Sequence, residues 1–413
     1  MRNMQRFLLA LIAAATLAVP HVGNAAELSL WPAAEIDEAY DNNVKLTPTD
    51  RKGDFLTAES LGATAESDTA ARSFFLTYST LMLEHVSYPG EDRFGHDHYF
   101  GVRDFEKLWP ETTLSISESF LVGSASSGFL LTSGSTPIGS QLMQSLLLVS
   151  TNLSNSFAMD LSSHYSGSFT WSANVHQNFF SVLSSSSTNK YSFNQGGMLA
   201  GDWLIAGRFG AGLGYDFEDF RFSNSSVPTT ESNWPQVRLA WGKDTPLSVS
   251  AEAGPVISTS SSGVVGTTSV RAETKVDAAY LVAATYNSRR LTITASASQF
   301  PMTTAGLGGS AISQTYSGLV QYKLTRRTTV FASSGYYSFS GSGTSGHVVS
   351  YTGGISHRLT EFITINAQFL GYQSLASGSA VGTLVSVPGR TTVTSLFLVG
   401  LTFTPRPLKW RVL

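Results

Sequence analysis

Apolar and polar residues alternate with a period of two along most of the chain. Segment 391–404 is the clearest case, because Phe397 and Leu401 fall on one face while Gly400 and Thr402 fall on the other. An extended strand turns successive side chains to opposite faces, so this pattern predicts a β-strand with one apolar face. The same alternation recurs in three further segments, 169–179, 270–286 and 362–372.

Two kinds of break separate the predicted strands, and they alternate along the chain. Short turns such as 287–290 and 358–361 carry charged residues, whereas the breaks between them, such as 258–267 and 375–390, are longer and rich in Gly, Ser and Thr. Eight short turns and nine longer connections predict 18 antiparallel strands, with an uncertainty of two. Short turns at one end and long loops at the other are typical of outer-membrane barrels. The predicted fold is all-β, a transmembrane antiparallel up-and-down β-barrel of about 18 strands.

Aromatic residues are placed as this barrel requires. Trp109, Trp203, Trp241, Tyr286, Tyr322 and Phe403 lie close to short turns or to the chain end. Tyr88, Phe120, Phe179, Tyr337 and Tyr372 lie close to the longer loops. Two aromatic girdles at the membrane interfaces would have this distribution. The alternative is a soluble β-sandwich or propeller with a scattered aromatic core, whose strands are usually shorter.

Composition supports an exported membrane protein. Only 13% of the 413 residues are charged, and the chain has no cysteine, whereas about 25% of residues are charged in ordinary soluble domains. Residues 1–26 have the basic start, apolar middle and small-residue end of a secretory signal. The predicted organisation is a signal peptide at 1–26, a barrel at 27–404 and a C-terminal tail at 405–413. Because no apolar run reaches the roughly 20 residues that span a bilayer as a helix, no transmembrane helix is expected.

The polar face of each strand is expected to line an aqueous interior, because charged groups are costly in lipid and a barrel of this size is wide enough for a channel. The predicted pore-lining residues are Asp160, His176, Arg208, Asp216, Glu218, Arg238, Glu252, Arg271, Glu273, Lys275, Asp277, Lys323, Asn366 and Gln368. Their signs are mixed, so they do not form the basic ring of a strongly anion-selective pore. They are equally consistent with a ladder that contacts a hydrated polymer and with cross-strand ion pairs that only solvate the wall.

Catalytic and metal-binding chemistry has little support. The G-x-S-x-G nucleophile motif is absent, and we expect no enzyme activity and no catalytic residues. Segment 91–98 contains two histidines and three carboxylates, but a solvated loop tip is a better explanation than a metal site. Without cysteine there can be no C-x-x-C-H haem attachment and no cysteine-ligated iron–sulfur cluster. No metal and no cofactor are therefore expected, and the net charge of −3 gives no reason to expect nucleic acid as a partner.

One segment resembles a known family. Residues 34–46 read AEIDEAYDNNVKL, and residues 54–57 read DFLT. This pair is similar to the opening hairpin of the β-barrel porin 2 family of outer-membrane proteins, and the resemblance implies export of capsule or exopolysaccharide. The chain departs from the expected pattern because it does not end on an aromatic residue. It also lacks a recognisable periplasmic tetratricopeptide domain, so an exporter would need a separate periplasmic protein.

The predicted function is an outer-membrane conduit, with export of a polysaccharide as the main hypothesis. Its expected partners are the lipids of the bacterial outer membrane, a polysaccharide or other hydrated solute, and a periplasmic export protein. Segments 124–140 and 141–155 are candidates for a constriction, and 141–155 could instead extend a strand. Two alternatives remain: a barrel that sheathes a multihaem cytochrome for electron transfer across the outer membrane, and a general porin for small solutes.

Overall fold

The computed structural model describes most of the chain after the predicted signal. The described residues are 26–43, 51–88, 93–124, 151–165, 168–182, 191–223, 228–242, 245–265, 268–303, 310–341, 344–378 and 391–412. Within these ranges no helix is long and apolar enough to cross a membrane. The first strand begins at Ala26, the last residue of the predicted signal peptide.

Twenty-one β-strands make up the described structure. They are β1 (Ala26–Asp41), β2 (Asp54–Asp68), β3 (Arg72–His85), β4 (Arg93–Trp109), β5 (Thr112–Ser124), β6 (Thr151–Tyr165), β7 (Phe169–Val182), β8 (Tyr191–Ala206), β9 (Phe209–Phe222), β10 (Thr230–Trp241), β11 (Leu247–Ser260), β12 (Gly263–Val265), β13 (Thr268–Val270), β14 (Glu273–Asn287), β15 (Leu291–Thr303), β16 (Ser310–Lys323), β17 (Thr328–Gly341), β18 (Thr344–Arg358), β19 (Ile363–Gly378), β20 (Thr391–Phe403) and β21 (Leu408–Val412).

The strands form a closed antiparallel barrel of 18 strands, which confirms the predicted fold and strand number. Each strand of the wall pairs with the next, β11 pairs with β14, and β20 and β21 lie end to end as the eighteenth strand, which pairs with β1 to close the wall. The short strands β12 and β13 pair only with each other, as a hairpin between β11 and β14. A closed barrel leaves no unpaired edge, so the backbone groups of its wall can be satisfied within a membrane.

The predicted C-terminal tail contains a strand of the wall, which corrects that part of the prediction. β1 pairs with β20 over Ala34–Asp41 and with β21 over Ala26–Leu30, so β21 continues the line of β20 beside β1. Lys409 also donates a hydrogen bond to Glu27 across this seam. Prolines at 405 and 407 interrupt the alternation between the two strands, because proline cannot donate a ladder hydrogen bond. Because of this interruption, the sequence pattern predicts a tail at 405–413 and no further strand.

Short turns occupy one end of the barrel, as the sequence predicted. The tightest of them, at 110–111 and 207–208, connect β4 to β5 and β8 to β9. Gly207 has a φ of +42° in the second turn, a conformation that residues with a Cβ rarely adopt. The connections at the opposite end include 42–53, 125–150 and 379–390.

The two faces of the wall are chemically different. Residues of six consecutive strands, from Thr64 on β2 to His176 on β7, line one cavity of about 530 Å³. Only the concave face of a barrel can bring strands so far apart to one cavity, so this face is the inner one. On the other face Phe397, Val399 and Leu401 are exposed and apolar.

The outer surface has an apolar belt with aromatic residues near both rims. Trp203, Trp241, Tyr286, Tyr322 and Phe403 are exposed near the short turns. Toward the long loops, aromatic rings meet in neighbouring pairs with centroids 5.0 to 6.0 Å apart, namely Tyr40 with Phe55, Tyr351 with Phe369 and Tyr316 with Tyr336. Such a belt is found on barrels that cross the outer membrane, so the protein is an outer-membrane barrel. Tyr337 and Tyr372 do not belong to this belt, because they are buried on the inner face.

Charge is distributed unevenly over the outer face. Among the described residues of β14 to β20, no Asp, Glu, Lys or Arg shares the face of the apolar belt. Charged residues do lie on the outer face of the other strands, namely the Arg72–Asp104 ion pair and, among others, the glutamates Glu38, Glu59, Glu84, Glu106, Glu118 and Glu231. Glu118 pairs with Val102 and Phe157 in the register and accepts a hydrogen bond of 3.0 Å from Asn155. This part of the belt is therefore less apolar than the rest.

Candidate functional site

Twelve of the fourteen predicted pore-lining residues lie at inner-face positions of the strands. These are Asp160 on β6, His176 on β7, Asp216 and Glu218 on β9, Arg238 on β10, Glu252 on β11, Glu273, Lys275 and Asp277 on β14, Lys323 on β16, and Asn366 and Gln368 on β19. Arg208 and Arg271 are corrections to the prediction, because both lie outside the strands. Arg208 follows Gly207 in a hairpin turn, and Arg271 lies between the hairpin strand β13 and the first residue of β14.

A chain of hydrogen bonds runs along the inner wall from β6 to β9. Asn174 Nδ2 donates to Asp160 Oδ1 over 2.5 Å, and the Asn174 Oδ1 lies 2.9 Å from His176 Nδ1. The other ring nitrogen, Nε2, lies 2.7 Å from Glu218 Oε1. Because these residues come from β6, β7 and β9, side chains of non-neighbouring strands are joined into one polar network.

Arg238 connects two carboxylates on either side of it. Glu252 lies directly opposite on β11, with Oε1 2.8 Å from Arg238 Nη1. A second carboxylate, Asp202 on β8, lies 3.1 Å from Arg238 Nε. Sequence reasoning missed Asp202, although its spacing of two from Ala200 and four from Met198 places it on the same face of its strand as they are.

Glycines on the intervening strands allow these contacts. His176 and Glu218 are separated by β8, where Gly196 occupies the position between them, and a Cβ there would lie 2.8 Å from Glu218 Oε2. Asp202 and Arg238 are separated by β9, where a Cβ on Gly212 would overlap the Asp202 carboxylate. The polar side chains therefore lie flat over glycine instead of pointing across the lumen, which keeps the interior open.

The two halves of the inner wall differ in chemistry. From β6 to β11 it contains five carboxylates, on Asp160, Asp202, Asp216, Glu218 and Glu252, together with one arginine and two histidines, His164 and His176. From β15 to β20 it is mainly hydroxyl and amide. Ser296 and Ser317 hydroxyls lie 2.6 Å apart, and Asn366 donates to Thr402 over 2.9 Å.

The predicted pore-lining residues at the start of β14, Glu273, Lys275 and Asp277, alternate in charge and form one ion pair among the contacts of the described residues. Lys275 Nζ lies 3.5 Å from Glu273 Oε2, and both side chains are more than half exposed. An exposed pair of this kind contributes little to stability. This part of the ladder therefore solvates the wall near the long loops and does not tie strands together.

The candidate metal segment 91–98 is not a loop tip over its whole length, which corrects the sequence interpretation. Residues 93–98 belong to β4, and the side chains of Asp97 and His98 point to opposite faces. Asp97 is buried on the inner face, and His98 lies 2.8 Å from the Tyr78 hydroxyl on the outer face. Within the described ranges, no group of three or more His, Asp or Glu residues is arranged to hold a metal ion.

The predicted constriction falls largely outside the described residues, which omit 125–150. Residues 151–155 lie inside β6, so the last part of segment 141–155 extends a strand. A gate formed by 124–140 or by 141–150 stays a prediction.

No protein-family model matches the chain, and no curated protein matches it. Solved structures do share its architecture. OccK2 (OpdF) of Pseudomonas aeruginosa, in complex with glucuronate, is 11% identical, with a TM-score of 0.46 over 92% of this chain and 98% of that one. OpdK, an outer-membrane protein of the same organism, is 10% identical, with a TM-score of 0.43 over 92% of this chain and 99% of that one.

A third similar structure is the FrpB iron transporter of Neisseria meningitidis. It is 7% identical, with a TM-score of 0.43 over 91% of this chain and 81% of that one. The chain is similar to outer-membrane barrels. At these identities the similarity concerns the fold alone, and the substrate has to be argued from the inner wall.

Proposed function

We propose that the protein is a non-enzymatic conduit of the outer membrane, and that its solute is a hydrated polysaccharide leaving the cell. The observation that carries this proposal is the inner wall, on which hydroxyl, amide and carboxylate side chains lie flat over glycines. A barrel of 16 to 18 strands leaves an aqueous lumen. The twelve inner-face residues named above are its proposed pore lining.

A polymer passes through a channel only when each contact is weak enough to release it. The wall from β15 to β20 offers many single hydrogen-bonding groups, such as Ser296 and Ser317, and its charged inner-face side chains, Lys323 and Arg358, lie near the short turns. A sugar hydroxyl can exchange one such partner for the next with little change in energy. This arrangement favours sliding of a polymer over tight capture.

The charge of the inner wall indicates which class of polysaccharide can pass. Five carboxylates and one arginine on β6 to β11 give this half of the wall a negative potential, and such a potential repels anions from the pore. A neutral or amine-bearing polysaccharide is therefore favoured over an acidic one. The resemblance of residues 34–46 to the β-barrel porin 2 family supports an export role, which would require a periplasmic protein to deliver the polymer.

The proposal is tested by deleting the gene in the native cell and measuring cell-surface and secreted polysaccharide. We expect a loss that is restored by the wild-type chain. The purified barrel should conduct in planar bilayers, with a reversal potential in a KCl gradient that shows a preference for K⁺. Unchanged polysaccharide in the deletion strain, together with free passage of small solutes, would favour a general porin instead.

The cytochrome alternative is tested on the same material. The barrel is extracted from the native membrane in mild detergent, and its visible spectrum and accompanying proteins are recorded. We expect a colourless preparation that contains carbohydrate or a periplasmic export protein. A haem Soret band with a stoichiometric cytochrome would overturn polysaccharide export in favour of an electron-transfer sheath.

A further inference from the structure

Four neighbouring inner-face side chains on β9 and β10 have buried polar atoms without a hydrogen-bond partner among the described residues. They are Asp216 Oδ1, Glu218 Oε2, Trp234 Nε1 and both amide atoms of Gln236. Gln236 is the most buried of the four, at 4% exposure. Glu218 Oε1 and the Arg238 guanidinium are engaged in the network described above.

These four residues converge on one area of the wall. Asp216 lies directly opposite Trp234 in the register, and Gln236 lies opposite Gly214. The Gln236 Nε2 is 3.0 Å from the place where a Cβ of Gly214 would be, so the amide lies over β9, beside Asp216. Gly254 on β11 lies on the other side of Gln236, where a Cβ would overlap the backbone oxygen of Pro235. The missing side chain of Gly214 thus leaves room on β9 for the unpaired amide.

An unpaired buried amide is costly, because it loses its water without gaining another partner. Native proteins hydrogen-bond nearly all such groups, either internally or to a bound molecule. Four side-chain groups are unpaired within this one area. They are the indole N–H donor, two carboxylate oxygen acceptors, and an amide that can both donate and accept. The set has the composition of a site that a polar ligand completes.

We propose that Asp216, Glu218, Trp234 and Gln236 form a saccharide-binding site on the inner wall, selective for neutral or amine-bearing sugars. The inference rests on the proposed conduit and specifies where the polymer is held. Sugar hydroxyls both donate and accept, so they can satisfy carboxylates, amide and indole together. Acidic sugars are disfavoured by the carboxylates, and a metal ion is disfavoured because its ligand set is not assembled within the described residues.

Binding is measured on the folded barrel in detergent, so the result does not depend on whether the channel conducts. Maltohexaose is the neutral probe and hexagalacturonate the acidic one, each titrated and followed by saturation-transfer NMR. We expect Gln236→Ala to weaken maltohexaose binding by about three- to tenfold, the effect of losing one or two hydrogen bonds. Trp234→Phe, which keeps an aromatic ring and removes the N–H, should weaken it by about threefold. Hexagalacturonate should bind much more weakly than maltohexaose.

Gln321→Ala is the matched control, because Gln321 is an inner-face glutamine on β16, near the short turns. We expect its affinity to equal that of the wild type, and heat-modifiable mobility on gels verifies that each variant is folded. Equal affinity of wild type, Gln236→Ala and Trp234→Phe would overturn the site, and so would the absence of maltohexaose binding to the wild type. Water alone would then fill the area. A barrel that binds maltohexaose but conducts nothing in planar bilayers would instead contradict the proposed conduit.

Discussion

Replacing Gly212 by alanine tests whether glycine on the inner face is needed for polar side chains to cross a strand. A Cβ at Gly212 would overlap both Asp202 Oδ1 and the backbone oxygen of Gly201, and would lie 2.9 Å from Asp202 Cγ. The carboxylate can rotate away, but the backbone oxygen is held in the ladder between β8 and β9. The wall itself must therefore shift.

The expected cost has two parts. Forcing a methyl group against backbone in a packed position costs about 1–3 kcal/mol. Displacing Asp202 also weakens its ion pair with Arg238, which adds at most about 0.2–1 kcal/mol because the Asp202 side chain is 39% exposed. We expect Gly212→Ala to lower the free energy of unfolding by about 1–4 kcal/mol.

Gly210→Ala is the matched control, on the same strand and the same face. A Cβ there meets its nearest neighbours, Trp203 O and Ala240 Cβ, at 3.4 and 3.9 Å, which is ordinary contact. Both variants gain the same backbone rigidity from alanine. The assay is denaturant unfolding of the barrel in detergent, followed by tryptophan fluorescence. Unfolding free energies of the two variants within about 0.5 kcal/mol of each other would refute the reasoning.

Three further outcomes are expected. Arg238→Met should lower the unfolding free energy by about 1–2 kcal/mol, because Asp202 and Glu252 lose their shared cation. It should also shift the reversal potential toward a stronger preference for K⁺, and an unchanged reversal potential would place this residue away from the ion path. Glu118→Leu should raise the unfolding free energy by about 1–2 kcal/mol, because this face meets lipid, whereas Glu231→Leu near the long loops should change it little. A lower unfolding free energy for Glu118→Leu would contradict lipid contact at this position. Deleting residues 405–413 should reduce the folded, heat-modifiable form in the outer membrane, because the β1 edge that faces away from β2 then keeps only its pairing with β20. Deleting Leu413 alone should not reduce it, and equal assembly of both variants would show that β21 is dispensable.

Much of the fold follows from local patterns. Alternation with a period of two is a property of each strand by itself, and it indicates which residues share a face without knowledge of the neighbouring strand. The alternation of short and long connections likewise predicts antiparallel order and the number of strands. The alternation does not predict β21, because prolines at 405 and 407 interrupt the pattern before this strand.

The neighbours of each residue were decided by the tertiary structure. Strand parity places Asp202, Glu218 and Gln236 on a face, but which residue lies beside them depends on the register of every strand around the closed wall. The contacts of His176 with Glu218 and of Asp202 with Arg238 also cross an intervening strand at a glycine, and no spacing in the sequence encodes that coincidence. The sequence by itself therefore determined the barrel and its two faces, whereas only closure of the wall decided which polar groups pair and which are left for a ligand.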